Sequence, residues 1–178
     1  MAGPGTAPTD RNAPRGAEGA RVLVIEAPFY AAIAAELMAG ATAELKAAGA
    51  GFERIAVPGA LEIPLALAGA VDAGLIPGGA PGARFDGCVA LGCIIRGETT
   101  HYDTVCANAN HWLMELAVRH AIPLGNAILT VETEAQALER AQGGRLGKGA
   151  EAVRACLALI AHARAFAQRA AAGPESPR

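Results

Sequence analysis

The feature that most constrains the fold is the alternation of short apolar segments with longer segments of helical periodicity. Apolar, largely β-branched runs predict strands at residues 21–26, 52–57, 85–95 and 126–131. Apolar residues at helical spacing predict helices at 29–48, 60–73, 103–120, 133–141 and 149–170. Strands with few polar residues that alternate with helices indicate a parallel sheet covered on both faces. We therefore predict an α/β protein, a three-layer α/β/α sandwich around a four-stranded parallel sheet.

Length and composition favour a single domain with short tails. A chain of 178 residues suits one domain, which we place at residues 20–170. The Pro-, Gly- and Ala-rich residues 1–19 are predicted to form a disordered N-terminal tail, and residues 171–178 a frayed C-terminal tail. Only 4 % of the residues are aromatic, so the helices are expected to pack closely on the sheet without bulky rings between them.

Charge and hydropathy argue against two classes of partner. The formal net charge is −2 and the Lys and Arg residues are scattered, whereas binding to nucleic acid requires a basic patch. The apolar runs end well before the length of about 18 residues that a membrane-spanning helix needs. The N-terminal segment lacks the apolar core of a secretory signal, so we expect a cytoplasmic protein that binds neither nucleic acid nor membrane.

The cysteines are predicted to be free structural thiols. They are Cys88, Cys93, Cys106 and Cys156, and none forms a C-x-x-C pair or lies at zinc-finger spacing from a histidine. Reduced thiols agree with a cytoplasmic location. No grouping of side chains in the sequence predicts a metal site.

The carboxyl ends of the predicted strands are where a site is expected, because open parallel sheets bind ligands there. Residues 97–103 (GETTHYD) follow the third strand and precede a helix. Thr99 and Thr100 offer hydroxyl and amide donors at a helix N-terminus, which suits a phosphate, and Gly97 permits close backbone approach. His101 adds an imidazole, the group that most often transfers protons at neutral pH. The alternative is a helix-capping segment with Asp103 as the N-cap residue, and spacing alone does not separate the two.

Two further strand ends carry candidate ligand contacts. Phe29 follows the first strand and is suited either to stacking on a planar ring or to acting as a hydrophobic staple for the next helix. Glu62 follows the second strand, in the segment 57–64 (VPGALEIP). Its carboxylate is suited either to accepting hydrogen bonds from sugar hydroxyls or to complementing the dipole of a helix N-terminus. Gly59 and Ala60 leave room for a flat ligand next to the backbone.

Three cations are candidates for contact with an anion, and each has a structural alternative. Arg140, after the fourth strand, is suited to bidentate phosphate binding but as a lone arginine is otherwise solvated surface. Lys148 stands between two glycines at a helix start, an unfavourable place for a cation that has no anionic partner. Arg96 suits ligand contact and a structural ion pair with Glu98 or another carboxylate equally well.

Taken together, these segments resemble the 6,7-dimethyl-8-ribityllumazine synthase family of riboflavin biosynthesis. The matching pieces are 57–64 (VPGALEIP), 90–103 (ALGCIIRGETTHYD), 128–140 (ILTVETEAQALER) and Lys148-Gly149, in the family's order and spacing. The resemblance implies a flavodoxin-like fold and an enzyme that joins 5-amino-6-(D-ribitylamino)uracil to 3,4-dihydroxy-2-butanone 4-phosphate. The products are the lumazine, phosphate and water, and the family uses no metal or organic cofactor.

The resemblance also implies roles for individual residues. His101 matches the proton-transfer residue. Asn126 falls where the family places a contact donated by the neighbouring subunit, although a bulky apolar residue is more frequent there, and Tyr30 stands where Asn is frequent. The residues expected to contact the pyrimidine and its ribityl chain are Phe29, Ala60, Leu61, Glu62, Cys93, Ile94, Ile95 and Asn126. Those expected to contact the phosphate are Glu98, Thr99 and Arg140, with Arg96, Thr100 and Lys148 as additional candidates.

The family assembles as pentamers, some of which close into an icosahedral shell of twelve. The resemblance therefore implies self-association with active sites between subunits, and it implies riboflavin synthase as a partner. Asn126 keeps a second hypothesis open, in which the chain is a non-catalytic flavin- or lumazine-binding homologue or a shell-forming scaffold. A third idea, a flavodoxin-like electron carrier, is disfavoured because residues 27–30 lack the Ser, Thr and Gly residues of a phosphate cradle.

Overall fold

The computed structural model describes residues 15–172 of the chain. Strands and helices follow one another in the predicted order, and their bounds differ from the predicted ones by at most two residues. The elements are β1 (Arg21–Glu26), α1 (Ala31–Ala47), β2 (Gly51–Ala56), α2 (Glu62–Asp72), β3 (Gly87–Ile95), α3 (His101–Arg119), β4 (Leu124–Val131), α4 (Glu134–Ala141) and α5 (Lys148–Ala172), with a short 3₁₀ turn at Gly144–Leu146 between the last two.

All four strands pair in parallel, in the order β2-β1-β3-β4. The register places Ile25 of β1 opposite Ile55 of β2 on one side and opposite Ala90 of β3 on the other. The edge strand β2 is largely exposed, whereas β3 is buried along nearly its whole length. The order is that of a flavodoxin-like sheet, which confirms the predicted α/β class.

Different helices cover the two faces of the sheet, which gives three layers. One buried cluster joins α1, α4 and α5 to the sheet, with Leu37 and Leu157 among its fully buried members. The other cluster joins α2 and α3 to the opposite face, with Leu67 and Leu113 fully buried. Each such side chain stabilises the fold by about 1.5–3 kcal/mol, so both faces contribute to the core and neither helix layer is peripheral.

The strand order reverses at β1, which lies between β2 and β3. In open parallel sheets the crevice beyond the carboxyl ends of the strands at such a reversal is the usual ligand site. Residues after β1 and at the end of β3 therefore face one another across this crevice. The sequence predicts the strands but not their order, so this location for the site comes from the structure.

The chain ends differ from the predicted tails. Ala17 is buried, and Arg164 of α5 donates hydrogen bonds to the carbonyl oxygens of Gly16 at 3.2 Å and Glu18 at 3.0 Å. Residues 15–19, predicted as part of a disordered tail, therefore pack against α5. That helix also continues to Ala172, through two residues that were predicted to fray. The remaining predicted tails, residues 1–14 and 173–178, lie outside the described residues.

Within residues 15–172, no helix is both long and apolar enough to span a membrane.

Candidate active site

A cavity of about 350 Å³ opens at the carboxyl ends of β1, β2 and β3, at the point where the strand order reverses. Four separate segments of the chain supply its walls, and each segment follows or ends a strand or begins a helix. The residues predicted for the site that line this cavity are Phe29, Ala60, Leu61, Glu62, Cys93, Ile94, Ile95, Thr99 and His101.

The end of β3 forms the apolar floor of the cavity. Cys93 and Ile94 are buried, and Ile95 is half-buried at the last position of the strand. Burial raises the pKa of the Cys93 thiol to about 11. The thiolate, not the thiol, is the nucleophilic form of cysteine. At neutral pH Cys93 is therefore a neutral apolar wall and not a nucleophile.

Phe29 projects from the turn after β1, and 72 % of its surface is exposed. Its ring meets the ring of Tyr30 edge to face, with centroids 5.1 Å apart. Tyr30, in contrast, packs against the core that contains α1. A hydrophobic staple would bury Phe29 against its helix. The exposed ring at the cavity instead favours the stacking interpretation.

The turn after β2 places Glu62 at the first position of α2, half-buried and facing the cavity. Both interpretations of this carboxylate therefore agree with its position. A Cβ atom at Gly59 would lie 3.0 Å from Glu62 Oε2, so glycine leaves room for the carboxylate. Pro64 falls in the first turn of α2, where its missing N–H costs no helical hydrogen bond.

The predicted anion loop joins β3 to α3, and all of its residues from Gly97 to Thr100 are exposed. Helix α3 begins at His101, whose backbone N–H donates to Thr99 Oγ1 at 3.4 Å. The N-cap residue is Thr100, so the alternative with Asp103 as the N-cap is wrong. Asp103 lies inside the first turn instead, where its side chain pairs with Arg96.

Arg96 makes ion pairs, but with partners other than Glu98. Its Nε lies 2.9 Å from Glu132 Oε2, and its Nη2 lies 3.2 Å from Asp103 Oδ1. Its guanidinium carbon is 4.0 Å from the centroid of the Tyr102 ring, a cation–π distance. The hydrogen bond to Asp103, and to a smaller extent the hydrogen bond to Glu132, raises the pKa of Arg96 above its ordinary value.

Six of the predicted site residues do not line the cavity of their own chain. Asn126 lies inside β4, which begins two residues earlier than predicted, and its Nδ2 donates to Asn110 Oδ1 at 2.8 Å. Arg140 Nη1 donates to its own helix at Gln136 O, 3.0 Å away. Lys148 has the anionic partner that its helix-start position requires. The six residues are Arg96, Glu98, Thr100, Asn126, Arg140 and Lys148.

Three side chains of the cavity were not assigned from the sequence. Tyr30 and Tyr102 flank predicted residues, and the assigned roles went to their neighbours. Val105 stands four residues after His101, so helical spacing places both on one face of α3. Helical spacing from His101 could therefore have predicted Val105 as a cavity residue.

No group of three or more His, Cys, Asp or Glu residues in the described part of the chain is arranged to hold a metal ion.

The fold and the cavity define an α/β protein with an exposed aromatic ring, an apolar floor and an exposed loop around one cavity at the strand ends. Sequence comparison identifies its family. The family model for 6,7-dimethyl-8-ribityllumazine synthase matches residues 19–164. The chain therefore belongs to the 6,7-dimethyl-8-ribityllumazine synthase family.

Individual relatives agree with this assignment. The 6,7-dimethyl-8-ribityllumazine synthase of Azorhizobium caulinodans is 52 % identical over 142 residues, which cover 80 % of this chain and 85 % of that protein. The synthase of Methylocella silvestris is 53 % identical over 148 residues, covering 83 % and 88 %. The 6,7-dimethyl-8-ribityllumazine synthase 1 of Rhodopseudomonas palustris is 50 % identical over 142 residues, covering 80 % and 85 %.

Proposed function

We propose that the protein is a transferase that condenses 5-amino-6-(D-ribitylamino)uracil with 3,4-dihydroxy-2-butanone 4-phosphate to give the lumazine, phosphate and water. The observation that carries this proposal is the convergence of nine residues, predicted for these two substrates from four separate segments, on one cavity. Family membership supports the same reaction.

The apolar part of the cavity is the proposed pyrimidine site. The exposed ring of Phe29 supplies a stacking surface, and the end of β3 supplies an apolar, largely buried floor. The carboxylate of Glu62, which lines the cavity, is the proposed acceptor of hydrogen bonds from the ribityl hydroxyls. Aromatic stacking on a flat ring with polar groups at one edge suits a heterocycle that carries a sugar chain.

His101 is the proposed acid and base. Imine formation, loss of phosphate and ring closure each move a proton, and one imidazole beside the reacting atoms serves all three steps. The buried Cys93 thiol supplies no nucleophile. Most of the remaining acceleration is assigned to holding two substrates together, which can be worth about 7–11 kcal/mol.

The phosphate requires a cation that the cavity of a single chain lacks. None of the described residues that line it is Lys or Arg. Thr99 and Glu98 on the anion loop offer backbone and hydroxyl donors. We therefore propose that the neighbouring subunit donates Arg140, and with it Asn126, and that Lys148 is a further candidate. A phosphate without a cationic partner would bind weakly in an otherwise apolar cavity.

This requirement supports self-association with active sites between subunits. Pentamers, free or closed into an icosahedral shell, are the proposed assembly, and light scattering after size exclusion distinguishes the two. A cytoplasmic location is proposed on the four free cysteines. Association with riboflavin synthase stays a prediction, which co-purification of the two proteins tests.

The test of the reaction is turnover. The purified protein mixed with both substrates should form a fluorescent lumazine and release one phosphate per lumazine. His101→Ala should lower kcat by about 10²–10⁴-fold, the usual range for a general acid–base group, with the assembly unchanged. The control is His111→Ala, at an exposed residue of the same helix outside the cavity, which should leave kcat unchanged.

If a known synthase is active under the same conditions and this protein is not, the proposal fails. Tight riboflavin binding without turnover would favour the non-catalytic alternative.

A further inference from the structure

Arg96 occupies the junction between the apolar floor of the cavity and the exposed loop that ends at His101. Its backbone N–H donates to Val131 O at 2.9 Å, which fixes the residue to the end of β4. Its side chain then turns back over the loop. The guanidinium contacts Glu132, which follows β4, and both Tyr102 and Asp103 in the first turn of α3.

All three nitrogens of this guanidinium have carboxylate partners. Nε donates to Glu132 Oε1 at 3.1 Å, and Nη1 donates to Asp103 Oδ2 at 3.3 Å. Nη2 lies 3.2 Å from the other Asp103 oxygen, so the contact with Asp103 is bidentate. Arg96 carries one positive charge against two negative charges. Each of its nitrogens and its charge already engage carboxylates of the protein, which leaves it poorly suited to be a ligand of phosphate.

The loop that Arg96 spans has few bonds of its own. Residues 97–100 are all exposed, and Gly97 has no neighbouring atom within 4 Å of the position of an added Cβ. The backbone N–H of Asp103 donates to Thr100 O, and the amide of His101 makes a long bond to Thr99 Oγ1. The contact from Arg96 to the residues directly after His101 is therefore a direct constraint across the loop.

We propose that Arg96 is a positioning residue, whose clamp on Tyr102 and Asp103 holds His101 in its place relative to the cavity. It acts through these residues and does not touch the substrate. The inference rests on the proposed synthase reaction, in which His101 transfers protons. Lysine is not an equivalent residue here, because it lacks the planar fork that engages two carboxylates and a ring together.

The test compares Arg96→Lys, Asp103→Asn and the double variant in steady-state kinetics. Each single variant should lower kcat by about ten- to a hundred-fold, because small misplacement of a reacting group has effects of that order. KM for the butanone phosphate should stay within about two-fold. The kcat of the double variant should be no lower than that of the less active single variant, since both changes break one clamp. Arg119→Lys, in the Arg119–Glu115 pair of the same helix, is the matched control and should behave as wild type.

A second readout does not depend on turnover. Amide hydrogen exchange in peptides covering residues 97–104 should accelerate in Arg96→Lys, while exchange in β3 and the rest of α3 stays unchanged. A direct phosphate contact predicts the opposite kinetics: Arg96→Lys raises KM, and Asp103→Asn, which frees the guanidinium, does not. That pattern, or unchanged kcat in Arg96→Lys, would overturn the inference. Absence of turnover in the wild-type protein would instead reject the proposed reaction and leave the exchange result to decide the clamp.

Discussion

Arg96 and Glu44 each lie at the centre of an ion network, and the two networks have opposite composition and exposure. Around Arg96, one guanidinium serves two exposed carboxylates beside the cavity. Around Glu44 of α1, one fully buried carboxylate serves two guanidiniums, with Arg145 Nε at 2.8 Å and Arg154 Nη1 at 2.9 Å. The buried network joins α1 to the turn before α5 and to α5 itself.

The difference separates stability from positioning. A buried charge that loses its partners is costly, whereas exposed ion pairs contribute only about 0–1 kcal/mol to stability. We therefore expect the Glu44 network to stabilise the fold. The Arg96 network should contribute little to the free energy of unfolding. Its proposed role is to fix the geometry of the loop that it spans. Substitutions in the Glu44 network should therefore lower stability, whereas substitutions in the Arg96 network should lower activity with little loss of stability.

Glu44→Ala is expected to have the largest effect on stability. It should lower the free energy of unfolding by about 3 kcal/mol, because it removes the hydrogen bonds from two guanidiniums to a buried carboxylate, each worth about 1.5–3 kcal/mol. Chemical denaturation at fixed protomer concentration measures this. Glu115→Ala removes a carboxylate from a pair whose arginine is 67 % exposed, and should cost less than about 1 kcal/mol. Equal losses in the two variants would remove the distinction between buried and exposed networks.

Close backbone contact between α1 and α5 should make the same junction sensitive to a single methyl group. A Cβ at Gly149 would overlap the carbonyl oxygen of Leu37, so Gly149→Ala should destabilise by about 1–3 kcal/mol. Gly69, in the middle of α2, has open space around it, and Gly69→Ala should stabilise by about 0.5–1 kcal/mol. Thermal unfolding of both variants checks the opposite signs. A Gly149→Ala protein as stable as wild type would show that the close backbone contact does not constrain the junction.

Phe29→Ala should have the smallest effect on stability and a clear effect on binding. Most of the ring is exposed, so the free energy of unfolding should change by less than about 0.5 kcal/mol. Loss of stacking should raise KM for the pyrimidine substrate by about ten-fold. Phe166→Ala, at another exposed ring on α5, should change neither quantity. Loss of stability with unchanged KM would restore the staple interpretation of Phe29.

The local sequence pattern was sufficient to predict the strands and helices and the part of the site that lies at the strand ends of one chain. The apolar run of β3 and the turn residues after β1 and β2 are properties of contiguous segments, so their positions at strand ends follow from periodicity. Parallel strands then bring Phe29, Glu62 and His101 to one edge of the sheet whatever the strand order. The resemblance added the identity of the substrates.

Features that join distant segments could not be predicted in this way. Glu44 meets residues 101 and 110 positions later in the chain, and no local pattern indicates those contacts. The partners of Arg96 illustrate the same limit at short range. Sequence proximity suggested Glu98, but the first turn of α3 presents Asp103 to the guanidinium. Asn126 and Arg140 do not line the cavity of their own chain, so we propose that they reach the cavity of a neighbouring subunit.

Subunit mixing is the most direct test of a catalytic site shared between copies of the chain. His101→Ala and Arg140→Ala proteins, each inactive alone, are unfolded together and reassembled. If one subunit supplies His101 and its neighbour supplies Arg140, about one quarter of the sites in a random ring should carry both residues, with activity restored in proportion. Mixing His101→Ala with Thr99→Ala, two residues of the same cavity, should restore none. Mixed assemblies of the first pair that form and stay inactive would contradict a site shared between subunits.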